Sequence, residues 1–410
     1  MKNLFFVVIL SFFFFACTKD SGVSSEPAET LQDGWVSVVT PNKDSLNTRG
    51  SGLQKVLHSG SWMMLEDAWS VPAEGKPGYL VHAPRLFVSE VGKNQWDTLA
   101  VPSKGAVKTL FADSSAFYVG TISGDVLKYY PNSKEWEKIN VVDSTDSIDY
   151  GVYGIAKYQN NLVVCLAGFR DTVSKEVVSV IRLQNGDSWI DLDTPPIRYQ
   201  NYGTETVPLQ FHQGVELNGK FYIATMDGVF ELVSGSTQWK QLPYPPKVRY
   251  TKKYVANPVE EILVHKNKLV MADDFSELVY EWDDSGSDWV SMDSLYLSGF
   301  DEDSLDYVIN INSITWKHSL VSDGNHLFVV GDRSYPKVYM GDYGEPYGNI
   351  PKGWRKIKGA VINGKVMPTS LMYSIDVIGD ELYAVSYEGL YKISLKNLDK
   401  IIENETDFFE

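Results

Sequence analysis

Carboxylates, histidines and loop aromatics are the residue types here that could do chemistry. Two carboxylates projecting from different elements onto one sugar can hydrolyse a glycosidic bond without leaving a local motif. Glu205, Glu216, Glu260, Glu261 and Asp376 stand near segments readable as strand starts, but no pair among them is singled out by spacing. Asp143, Asp146 and Asp149, and Asp301 to Asp303 with Asp306, carry oxygen ligands. Neither group has the turn glycine and distal glutamate of a calcium loop, so both read as solvated acidic loops. The six histidines, at 58, 82, 212, 265, 318 and 326, lack paired ligand spacing such as HExxH. Neither a Gly-rich phosphate loop nor a GxSxG elbow occurs. The expectation is no metal and no cofactor.

Charge narrows the partner classes. The 410 residues include 53 acidic and 37 basic side chains, a net charge of −16, and only 8 of the basic residues are arginine. A surface that tracks nucleic-acid phosphates needs clustered Lys and Arg, so nucleic acid is not the expected partner. Hydrophobic residues at 43% and aromatics at 13% are globular values.

The start of the chain reads as an export signal. Met1-Lys2-Asn3 supplies positive charge, and Leu4 to Phe15 is apolar apart from Ser11, shorter than the roughly 20 residues a membrane span needs. Phe14-Phe15-Ala16-Cys17 resembles the lipobox of bacterial lipoproteins. That resemblance implies a signal peptide over 1–16, a lipid anchor on Cys17 and a tether over 17–33, rich in Ser, Glu and Pro from Ser21 to Thr30. Thr18 after the Cys is similar to lipoproteins passed on to the outer membrane, so the expected place is the cell envelope, on the periplasmic side or the cell surface. Cys165, in the apolar run Leu162 to Leu166, reads as a buried inert thiol.

A recurrent strand ending organises the rest: Trp, two mostly polar residues, then an apolar one. It starts at Trp35, Trp96, Trp136, Trp189, Trp239, Trp289 and Trp354, at intervals of 40 to 65 residues. Such a period carried by short alternating strands points to propeller blades. In the clearest unit, Phe211 to Leu242, Asn218-Gly219 and Asp227-Gly228 supply tight turns. The last unit, Leu371 to Ile393, has three strands and no Trp strand, whereas Trp35 precedes the first unit alone. The reading is an all-β, seven-bladed β-propeller over 34–396, closed by an N-terminal strand that completes the last blade, with an acidic tail over 397–410. Asp284-Ser285-Gly286-Ser287-Asp288-Trp289 resembles the Asp-box turn of sialidases and related propellers. In those families the box is structural, and it implies no catalytic role.

Long segments fall mainly on the face shared by the second-to-third loops and the blade connections, where binding sites concentrate. Trp69, Tyr199, Tyr202, Tyr244, Arg249, Tyr250, Tyr296 and Tyr307 are the candidate ligand-binding residues there, able to stack on sugars or anchor a protein. The expected function is a lipid-anchored envelope propeller, a monomer touching the membrane only through its anchor. It would bind or scaffold a polysaccharide or an envelope protein. The alternative is a glycan-active enzyme, a glycoside hydrolase or lyase, on the same scaffold.

Overall fold

Short strands separated by turn residues build the chain. The computed structural model describes residues 36–38, 52–68, 70–72, 80–82, 84–142, 148–169, 177–195, 209, 211–245, 259–273, 278–292, 319–331, 337–342, 355–356, 360–362, 365–367, 372–386 and 389–397. They form seven four-stranded antiparallel sheets and two small hairpins. The first strands are Gly52–Ser59, Val107–Ala112, Asp149–Tyr158, Phe211–Leu217, Val259–His265, Ser319–Ser322 and Met372–Ile378. Each is followed in sequence by the second and third strands of its own sheet. Six sheets carry a fourth strand of three to five residues, and the sixth in chain order has only Arg355–Lys356 there. The fourth strand of the last sheet is Val36–Val38, which pairs antiparallel with Leu390 to Lys392 of Gly389–Ser394.

Hairpin turns follow from local chemistry. Asn218 and Gly219 take φ of 53° and 77°, and the pairs Gln159-Asn160 and Lys266-Asn267 adopt the same left-handed geometry without glycine. Two successive positive φ angles match the twist of the flanking strands. Asp113 and Asp323 replace that device with their side chains. Asp113 Oδ1 accepts the N–H groups of Ser115 at 2.7 Å and Ala116 at 3.0 Å, and Asp323 Oδ1 does the same for Asn325 and His326.

Every first strand with a described neighbour packs against the first strand of the next sheet, and Met372–Ile378 returns to Gly52–Ser59. The arrangement is an all-β propeller. Its core is divided into wedges between neighbouring sheets. One unites Tyr222 and Leu242 of the fourth with Ile262, Met271 and Trp289 of the fifth, another Met64 and Leu86 of the first with Leu110 and Tyr129 of the second. Second strands are therefore covered on both faces. Phe117–Thr121 is buried throughout, and each large apolar side chain sealed there contributes about 1.5–3 kcal/mol.

The tryptophan repeat has a hydrogen-bonding meaning. The Trp189 indole donates to the Asn140 carbonyl at 2.8 Å and that of Trp239 to the Asp193 carbonyl at 2.7 Å. Both carbonyls directly follow the fourth strand of the preceding sheet, Glu135–Ile139 and Ser188–Leu192, so the indole rivets one sheet to the next. Trp289 is instead buried, edge-on to Trp282 at 5.1 Å.

In the first sheet the second strand runs to Ala68, and a hairpin of Ser70–Pro72 with Leu80–His82 precedes the third. The third sheet begins at Asp149.

Candidate functional site

Six first strands carry one unpaired extra residue near their start. Leu53 opposes Asp67 while Lys55 opposes Glu66, which leaves Gln54 between them. The same skip occurs at Lys108, Tyr153, His212, Glu260 and Tyr373. Such bulges re-aim a side chain and recur at binding rims. The residue before the bulge is apolar in each strand, and Leu53, Val107, Val152, Phe211 and Val259 are buried. The bulged residues are of mixed polar and aromatic chemistry. Lys108 is exposed, and Gln54, Tyr153, His212 and Tyr373 are half-buried. All stand at the end where the first strands begin. Two adjacent members touch, the Lys108 ammonium lying 5.1 Å from the Tyr153 ring centroid.

The residue after the bulge has a different task. Innermost strands form a sheet edge whose N–H groups need acceptors. Gln213 Oε1 accepts the Ile262 N–H of the next sheet at 3.1 Å, and Glu261 Oε2 accepts the Leu320 N–H. Ser319 Oγ accepts the Ile375 N–H at 3.0 Å, and Ser374 Oγ the Val56 N–H at 3.3 Å. One rung is thus stitched through four successive interfaces, from the fourth sheet round to the first. Lys55 and Gly154 hold the equivalent places in the first and third sheets and offer no acceptor. At Gly154 an added Cβ would lie 2.7 Å from the Phe211 carbonyl oxygen and ring, so close packing occupies that interface.

The candidate carboxylates are distributed among interfaces. Glu216 Oε2 accepts the Gln159 N–H at 2.8 Å between the third and fourth sheets. Glu261 belongs to the stitch just described. Asp376 is buried between the seventh and first sheets, 2.7 Å from His58 Nδ1. Burial pushes its carboxyl above the usual range, while the hydrogen bond to Asp376 raises His58. Glu260 occupies a bulge, and Glu205, Asp143, Asp146 and the acidic run from Asp301 lie outside the described residues. Among the described residues no three His, Cys, Asp or Glu side chains gather as metal ligands.

Of the aromatic and arginine candidates, Tyr244 is described. Its hydroxyl donates to Asp227 Oδ1 at 2.5 Å and accepts from Gln241 Nε2 at 3.1 Å, which binds it to the turn at Gly228. Trp69, Tyr199, Tyr202, Arg249, Tyr250, Tyr296 and Tyr307, like Cys17, lie outside the described residues. Cys165 is fully buried, and burial pushes its thiol up to about 12. In the Asp-box-like turn, Asp283 accepts the Ser285 N–H at 3.0 Å, and Asp284 accepts the Trp282 indole N–H at 2.9 Å.

A cavity of about 150 Å³ on the same face is lined by Ser123, Asp125, Lys138, Asn140 and Asp149 among others. Two of its charges, Asp125 and Lys138, form an ion pair. Burial raises the Asp125 carboxyl, and hydrogen bonds from Lys138 (2.5 Å) and Ser103 (2.6 Å) outweigh that and hold it low.

The bulge ring had a signal in the sequence. Strict alternation is broken at Leu53-Gln54-Lys55-Val56, Val107-Lys108-Thr109-Leu110, Val152-Tyr153-Gly154-Ile155, Val259-Glu260-Glu261-Ile262 and Met372-Tyr373-Ser374-Ile375, where apolar residues stand three apart at a strand start. One inserted residue restores the face after such a break.

No family model matches the chain, and no curated protein matches its sequence. Solved structures do resemble it. The extracellular domain of BT4673 from B. thetaiotaomicron aligns with a TM-score of 0.51 at 11% identity over 88% of this chain, and the chain spans 40% of that domain's length. YCF48 from Cyanidioschyzon merolae gives 0.48 at 12% identity, covering 89% of this chain and 99% of its own. PorZ, a bacterial surface component of the type-IX secretion system of Porphyromonas gingivalis, gives 0.45 at 9% identity, covering 88% of this chain and 38% of its own. At these identities the likeness is one of fold.

Proposed function

We propose that the chain is a seven-bladed propeller, lipid-anchored at Cys17 in the cell envelope, that binds a polysaccharide at the mouth of its central channel. The observation that carries this reading is the ring of bulged residues. Six equivalent positions on a rigid scaffold hold Gln, Lys, Tyr, His, Glu and Tyr, donors, acceptors and aromatic faces suited to a polyhydroxylated ligand. The lipobox-like Phe14 to Cys17 supports the anchor, and likeness to an extracellular domain supports the envelope setting. Glu216, Glu261 and Asp376 are each engaged in a contact between sheets, which favours binding over hydrolysis.

Affinity electrophoresis of the chain through gels containing plant and bacterial polysaccharides, then stained for intact polymer, tests the function. Retardation without clearing is the expected result. Clearing would make the protein a glycan-active enzyme, and free migration in every gel would point to a protein partner. For the anchor, Cys17→Ser should release the protein from the membrane fraction, and unchanged sedimentation with membranes would refute lipidation.

A further inference from the structure

Two histidines lie at seams of the ring with opposite consequences for charge. At the closure, His58 meets the buried carboxylate of Asp376. At the seam between the fifth and sixth sheets, His265 is 2% exposed, and its Nδ1 lies 2.6 Å from the Ser322 hydroxyl of the sixth sheet. A hydroxyl brings no countercharge, and enclosure in the seam disfavours the charged ring. The carboxylates facing His265 are already engaged. On the fifth sheet Lys268, opposite His265 in the hairpin, bridges to the buried Glu281, and Lys266 adds a cation at the turn. On the sixth, Asp323 holds the His326 ring at 2.9 Å and the N–H groups of Asn325 and His326. Glu261, toward the other end of the same first strand, accepts the Leu320 N–H. Burial, then the Lys266 charge, push His265 down from 6.5 to about 4.

From this geometry we infer that the seam between the fifth and sixth sheets is an acid-sensitive joint, in which protonation of His265 loosens the sixth sheet from the fifth. An opened seam exposes the ring at its ordinary 6.5, so opening takes up a proton wherever pH lies between the open and closed values. The closed joint is at full strength above 6.5 and weakens as pH falls. From pH 7 to pH 5 the open population rises about twentyfold on these values. What resists opening is the packing of Val270, Ala272 and Val279 against Leu320 and Leu327, and the sixth sheet adds a fourth strand of only Arg355–Lys356. His58, raised by Asp376, acts in the opposite sense, so acid tightens the closure while it loosens this joint.

The test is amide hydrogen exchange of the full chain at pH 7 and pH 5, read by mass spectrometry and corrected for the intrinsic pH dependence of exchange. Peptides covering Val259–His265 and Ser319–Ser322 should lose about twentyfold in protection at pH 5, while Val107–Ala112, in a strand without histidine, should keep its own. His265→Asn, which retains a polar group for Ser322 and cannot be charged, should abolish the loss and leave any contribution of Glu261 in place. Unchanged protection at the seam, an equal loss in all three peptides, or a His265→Asn variant that loosens as the wild type does overturns the inference. Where His265→Asn fails to fold, the wild type decides by NMR titration of its histidines: His265 should titrate near 4, and titration at 6.5 or above overturns the joint.

Discussion

Ser374 and Val56, separated by 318 positions, meet across the closure of the ring, where the Ser374 hydroxyl accepts the buried Val56 N–H at 3.3 Å. The two sheets involved are also joined by the pairing of Val36–Val38 with the last third strand. A ring built from one chain must be fastened where its ends meet, and this bond satisfies an inner-edge donor that has no strand partner. Ser374→Ala should cost about 1–3 kcal/mol, the range for a buried donor left without an acceptor. Chemical denaturation would measure it, and a loss below about 0.5 kcal/mol would show that water replaces the hydroxyl.

Glu261 separates a structural carboxylate from a catalytic one. Its side chain accepts the Leu320 N–H of the next sheet, so Glu261→Ala should lower the melting temperature, and Glu261→Gln, which keeps an acceptor oxygen, should recover most of the loss. A cost of about 1–3 kcal/mol is expected for the alanine variant. Undisturbed stability in both variants would contradict the stitching role.

The His58–Asp376 pair makes stability depend on pH. The hydrogen bond to Asp376 raises His58 above its ordinary 6.5, and burial raises Asp376 above 3.8. The folded state therefore holds protons more tightly than the unfolded state at both sites. The stabilisation from His58 is complete below its unfolded value and is lost as pH rises through the higher folded one. The melting temperature should fall from pH 6 to pH 8, and Asp376→Asn should flatten that decline. Parallel profiles for the two proteins would show that the pair does not control it.

Gly154 is required by packing between the third and fourth sheets. A Cβ there would stand 2.7 Å from the Phe211 carbonyl oxygen and ring, and the carbonyl belongs to a strand that cannot retreat without breaking its own ladder. Gly154→Ala should destabilise by about 1–3 kcal/mol through overcrowding. Gly186, where an added Cβ meets nothing within 4 Å but φ is +62°, is a control that tests backbone strain alone. A smaller loss at Gly154 than at Gly186 would refute the crowding argument.

Local physics made much of the architecture legible in the sequence. A Trp ending each unit, Asn-Gly and Asp-Gly turns, and a spare strand ahead of an incomplete final unit are short-range signals, because turn geometry and strand alternation depend on adjacent residues. The strand found from Phe211 falls where those signals put it. Side-chain roles were decided only by the tertiary structure. Tyr244, beside a proline in a connection, reads as an exposed anchor until Asp227 takes its hydroxyl. Glu216, Glu261 and Asp376 read as free carboxylates until partners 57 to 318 positions away meet them. Such partners leave no mark on the local sequence, since ring closure brings them together. The bulge ring lies between these cases. Its three-residue apolar spacing is written in the chain at five of the six bulges, but the six sites become one rim only when the sheets close around a common axis.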